Sequence, residues 1–166
     1  MNYTRKSPMD REQKVIFTRR ISQSNKTQLI CVLFDIFFAY LDEGEKAVKA
    51  GDMVTARDEL RHANQVIMHL KSDLNFKYDL SKQLYPLYDF CQRAIERSNF
   101  TKNTEGIEEA RRIMKPLQDA FSEVAKSDHS ASMMRNTEQV VAGMTYGRGN
   151  LNETTEQYDK SRGFFA

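Results

Sequence analysis

The stretch Glu59-Leu60-Arg61-His62 has the residue types and spacing that invite a catalytic reading. On a helix, Glu-x-x-His supplies ligands to di-metal centres, but such a centre needs two of these motifs and two further inward glutamates. The sequence holds no second copy, and with Leu60 directed into a core, Glu59 and Arg61 are expected to point away from it. The three histidines, His62, His69 and His129, share no ligand spacing. There is no Gly-x-Ser-x-Gly elbow, no phosphate-binding glycine loop and no dinucleotide fingerprint. Nothing unites a nucleophile, a base and an orienting group. No catalytic residue, no metal ligand and no cofactor is therefore expected, and the chain reads as a binding protein rather than an enzyme. Arg111, Arg112 and Lys115, beside Glu108 and Glu109, read as a solvated helix face. Cys31 and Cys91 each sit in an apolar run without a Cys-x-x-Cys and read as small buried hydrophobes.

Composition narrows the class. Charged residues make up 29% of the 166 positions, yet the net charge is only +2. That balance argues against a nucleic-acid binder, which would cluster basic residues on one face. The opening MNYTRKSPMDREQKV has no apolar core of a signal peptide. The most apolar run, Leu29 to Leu41, is broken by Asp35, and it is shorter than the roughly 20 residues of a membrane span. A cytoplasmic location without membrane insertion is expected.

Hydrophobic periodicity predicts an all-α protein. Residues 1–25 form a polar, basic arm with an apolar cluster, Val15, Ile16, Phe17 and Ile21, suited to a short docking helix. A helix over 26–50 starts after a Ser24 or Asn25 cap and stops at Gly51, and Asp52 caps the next. That turn is short enough to force neighbouring antiparallel helices. A helix over 53–74 has the stripe Ala56, Leu60, Ala63, Ile67, Leu70, Leu74. One over 80–99 has Leu80, Leu84, Leu87, Cys91, Ala94, Ser98, and one over 104–125 has Ile107, Ala110, Met114, Leu117, Phe121, Val124. This 3–4 spacing is that of packed helices. Pro86 and Pro116 predict a kink or a late helix start. The expected architecture is an antiparallel up-down four-helix bundle over 26–127, with a short N-terminal arm and an irregular tail over 128–166. The tail contains its own apolar set, Val140, Val141, Met144 and Tyr146, and a short ordered segment is expected near 137–142.

The helix over 26–50 is apolar beyond what one packing face requires. At 100° per residue, Leu29, Leu33, Ile36, Tyr40 and Ala47 fall within about 40° of one line, which is taken as the core stripe. Ile30, Phe34, Phe37, Phe38 and Leu41 form a second stripe at about 80° to 180° from it. Phe34 and Phe38 are thereby expected to point away from the core. An uncovered patch of this kind invites association. The chain's own arm or tail, a second copy, or a client helix would cover it. Ile16, Phe17 and Ile21 are the arm residues expected to dock.

With the helices placed, several short patterns line up with one family. Leu29-Ile30-x-x-Leu33-Phe34-Asp35, Ala63-x-x-Val66-Ile67-x-x-Leu70-x-x-x-Leu74-Asn75, Leu87-Tyr88-Asp89-Phe90 and Leu117-x-x-Ala120-Phe121 occur in order. Together they resemble the FliS family of flagellin export chaperones over about residues 20–125. Ile36 stands where that family has glycine and Phe121 where it has tryptophan. The resemblance implies a cytoplasmic protein that binds the C-terminal segment of flagellin. It would thereby prevent premature polymerisation and keep flagellin competent for the flagellar type III export apparatus. Ile30, Phe34, Phe37, Phe38 and Leu41, with Tyr88 and Ile95, are then the expected client-binding residues. Alternatives from the sequence are a related chaperone for another secreted helical protein and a module that homo-oligomerises, with a weak homodimer as its simplest form.

Overall fold

The computed structural model describes residues 11–134. The protein is all-α, with five helices and no strand among the described residues: α1 (Arg11–Gln23), α2 (Lys26–Ala50), α3 (Met53–Ser72), α4 (Asp79–Thr101) and α5 (Glu105–Ser127). The expectations placed on Val140, Val141, Met144, Tyr146 and the segment 137–142 lie outside the described residues.

Local chemistry sets the helix ends. Asn25 has extended backbone, and its Oδ1 accepts the Gln28 N–H at 2.8 Å while Gln28 Oε1 accepts the Asn25 N–H at 3.1 Å. This capping box satisfies two donors that the helix cannot. Gly51 ends α2 at φ 74, and the Asp52 carboxylate then accepts the Thr55 N–H at 3.0 Å. Lys102 ends α4 in the same left-handed region at φ 59, without glycine's freedom there. Helix α4 runs through Pro86 and α5 runs through Pro116, so neither proline delays a helix start.

Helix α2 packs on α3 and α5, and α4 also packs on α3 and α5, which closes a ring around one core. Helix α1 packs on α2 alone. Residue numbers fall along one partner as they rise along the other. On α2 and α3, Tyr40 stacks on His62 with centroids 4.9 Å apart, while Gly44 faces Leu60. On α2 and α5, Phe34 meets Phe121 at 5.7 Å, Gln118 donates to Asp35 at 2.6 Å and Arg111 donates to Asp42 at 2.7 Å. On α4 and α5, the Cys91 thiol points at the Ala110 carbonyl at 3.9 Å and Ser98 Oγ accepts the Ile107 N–H at 3.2 Å. A Cβ at Gly106 would run into the Ala94 carbonyl, so glycine is what permits this close α4–α5 approach.

Three sequence expectations are corrected here. The core line of α2 turns toward the second stripe, although Ala47 of the first is buried as expected. Phe34, Phe37 and Leu41 are fully buried in the core, whereas Leu33, Ile36 and Tyr40 are half-buried at its edge. Both lines are apolar, and the larger aromatic stripe removes more surface from water when it faces inward. In α4 the core line turns to Ser81, Leu84, Tyr88, Cys91, Ile95 and Ser98, leaving Leu80 and Leu87 exposed. In α3, Glu59 is buried rather than solvated. Gly44 brings α2 so close to α3 that both Leu60 and its neighbour Glu59 are enclosed.

Candidate interaction surface

The residues expected to bind a client do not form one surface. Phe34, Phe37, Leu41, Tyr88 and Ile95 are at most 1% exposed and interlock in the core. As the chain stands they shape the core and are closed to a partner, which corrects their assignment to the exterior. Ile30 and Phe38 are half-buried at the core edge, with Phe38 against Phe37 and under the Lys115 ammonium. Burial pushes the Tyr88 hydroxyl and the Cys91 thiol each up to about 12.

The opposite side of α2 offers a different surface. Val32 lies about half a turn from Leu41, yet it is only 2% exposed. With α3 and α5 on the other sides, α1 is the described helix that covers it. The Arg20 guanidinium anchors α1 to the Asp35 carboxylate at 2.6 Å. Phe17 and Ile21 are half-buried, while Ile16 is 50% exposed on the outer side of α1. A cleft of about 270 Å³ remains where α1, α2 and α5 meet, between Arg20, Gln28, Cys31 and Ala125. The joint between α1 and α2 is polar and buried, with Ser22, Ser24 and Asn25 all enclosed. The periodicity of α2 did not single out Val32, because it falls between the two stripes. Its signal was that α2 has apolar residues on every side, the pattern of a helix surrounded by neighbours.

Further exposed apolar side chains stand on both edges of α4 and in its entry loop. Phe76, Tyr78, Leu80, Tyr85, Leu87 and Phe90 are all exposed. Phe76 meets Tyr85 edge-on at 5.7 Å, and the Lys71 ammonium sits 4.8 Å from the Tyr85 ring. Phe90 lies two turns before Arg97, which pairs with Glu109, so Phe90 and Leu87 border the α4–α5 seam. Lys71 pairs with Asp89 at 3.0 Å, and this holds the Asp89 carboxyl below its ordinary range.

Chemistry at Glu59 and His62 is limited. The two side chains stand 4.0 Å apart, and burial pushes Glu59 up and His62 down. No group of three His, Cys, Asp or Glu side chains able to hold a metal ion occurs among the described residues. No described helix is long and apolar enough to cross a membrane.

The sequence profile of the flagellar protein FliS matches residues 10–128. The chain belongs to the FliS family. It is 22% identical over 120 residues to the flagellar secretion chaperone FliS of Vibrio cholerae serotype O1, spanning 71% of this chain and 88% of that protein. It is 20% identical over 108 residues to the flagellar secretion chaperone FliS of Bacillus subtilis (strain 168), spanning 65% of this chain and 81% of that one. The FliS match begins just before α1 and ends at Asp128, one residue beyond α5. The face of α2 under α1 and the exposed apolar side chains of α4 therefore belong to the FliS portion of the chain.

Proposed function

We propose that this protein is a cytoplasmic, non-enzymatic export chaperone that binds the C-terminal segment of flagellin. It keeps that segment from polymerising early and competent for the flagellar type III export apparatus. The observation that carries this reading is α2, apolar on every side, with its back covered by one short helix in a chain of the FliS family. The names of the Vibrio and Bacillus relatives, flagellar secretion chaperones, support it.

The pairs that join α2, α3, α4 and α5 support reading residues 26–127 as an antiparallel up-down four-helix bundle, the chaperone domain. Residues 1–25 are then an arm and 128–166 a tail. In this reading the client's amphipathic segment takes the place of α1 on Val32 and Ile36, and extends over Leu87 and Phe90. Such a segment gains helicity only on binding, so its ordering cost moderates the affinity of a large contact. Helix α1 and the client compete for the same face of α2.

Calorimetric titration with a peptide of the flagellin C-terminal segment tests the reading. Binding in roughly the micromolar range or tighter, with a gain in helical circular dichroism, is expected. The absence of heat with full-length flagellin from the same cell would remove flagellin as the client.

A further inference from the structure

After α5 the chain does not leave the molecule but turns back onto the α1–α2 joint. Asn25 Nδ2 donates to the carbonyls of Asp128 at 3.1 Å and Ser130 at 3.3 Å. The Met133 N–H donates to the Ser24 carbonyl at 3.0 Å, and Ser132 Oγ donates to the Ser22 carbonyl at 3.2 Å. The Thr27 hydroxyl bonds to the Asp128 carboxylate, the leading reason that this acid titrates as low as about 2.

These bonds fall where α1 is weakest. The last carbonyls of a helix lack partners within it; the Ser22 carbonyl in the last turn of α1 receives its partner from Ser132, and the Ser24 carbonyl just beyond the helix receives one from Met133. Helix α1 otherwise rests on α2 alone, and its ion pair to Asp35 is exposed, a kind of contact that contributes little. Ser22, Ser24 and Asn25 are at most 6% exposed although polar and at the break between two helices. The Ser22 and Ser24 hydroxyls bond back to α1 carbonyls, and segment 128–134 supplies partners for the carbonyls of both and for the Asn25 side chain. Beyond Asp128 this segment also lies outside the FliS match.

We infer that residues 128–134 are a latch that holds α1 on the back of α2, making a C-terminal addition the control over an N-terminal helix. The functional consequence rests on the proposed competition between α1 and the client. A latched chain keeps Val32 covered, and an unlatched one exposes it.

Amide hydrogen exchange measured on three proteins tests the latch without any client: the full chain, a chain ending at Met134 and a chain ending at Ser127. The chain ending at Met134 is expected to exchange in α1 as the full chain does. The chain ending at Ser127 is expected to exchange α1 amides at least about tenfold faster, with α3 and α4 unchanged. Unchanged α1 rates, or equal acceleration in α3 and α4, would overturn the inference. Asn25→Asp provides a second test, because it keeps an oxygen to cap α2 but turns the Nδ2 donor into an acceptor facing two carbonyls. It should speed exchange in α1 and leave the first turn of α2 protected, and wild-type rates in α1 would again overturn the latch. Titrating the same proteins with the flagellin peptide separates the two ideas. Faster α1 exchange without tighter binding upholds the latch and removes the competition.

Discussion

Phe34 is among the largest fully buried side chains of the protein. It sits fully buried between the core and Phe121, so Phe34→Ala should lower stability by about 3–5 kcal/mol, the range for a large buried aromatic side chain. Urea unfolding monitored by circular dichroism reads this. A loss below about 1 kcal/mol would return Phe34 to the surface. Ile36→Ser, at the half-buried edge, should cost less and act mainly on α1 docking. The two cysteines separate in the same way. Cys91 is buried with its thiol pushed up to about 12, so a thiol reagent should reach it only on unfolding. Cys31 is half-buried and should react first. Asp128 gives a pH signature. Its carboxyl is depressed from an ordinary 3.8 to about 2, so its contribution is present above about pH 4 and is lost as the pH falls toward 2. The protection of α1 that distinguishes the wild type from Asp128→Asn should therefore fade across that window. Of this, only the burial of Cys91 was legible from residue type. Which of two apolar lines faces inward depends on what the opposing helices present, and helix periodicity alone does not include that.

At the scale of elements, much was legible because the signals are local. Asn25, Gly51 and Asp52 mark the limits of α2 and the start of α3 through hydrogen bonds within four residues. The helices over Pro86 and Pro116 were legible too, because their apolar stripes continue through each proline in register, and each proline sits inside an α-helix. The placement of α1 was not legible, because its apolar cluster names no partner. Its position on α2 leads to a prediction. Deleting residues 1–20 removes the cover over Val32 and Ile36 and should raise client affinity, self-association or both. Sedimentation and peptide titration check this, and a deletion that changes neither would remove the arm from the mechanism. The rotated core line of α4 has a similar cause. Tyr88 and Ile95 win the interior from Leu80 and Leu87 because α3 and α5 approach α4 at Lys71 and Ala110. That approach leaves Leu87 and Phe90 beside the seam, where Phe90→Asp should weaken client binding with little change in stability.

For the whole molecule, family and helical class were readable in the order of short motifs, whereas the strap over residues 128–134 was not. Its bonds join residues more than a hundred positions apart, and Ser, Asp and Asn announce no partner at that range. Long separations also govern the core. Helices α2 and α3 are joined by a two-residue turn, but the bond from Gln118 to Asp35 spans 83 positions. A ribosome therefore releases the α2–α3 hairpin well before Phe121 of α5, which packs on Phe34. Until α5 emerges, the nascent chain displays the aromatic line that the finished protein hides. A protein proposed to shield another chain's apolar helix thus passes, during its own synthesis, through a stage in which it needs the same protection.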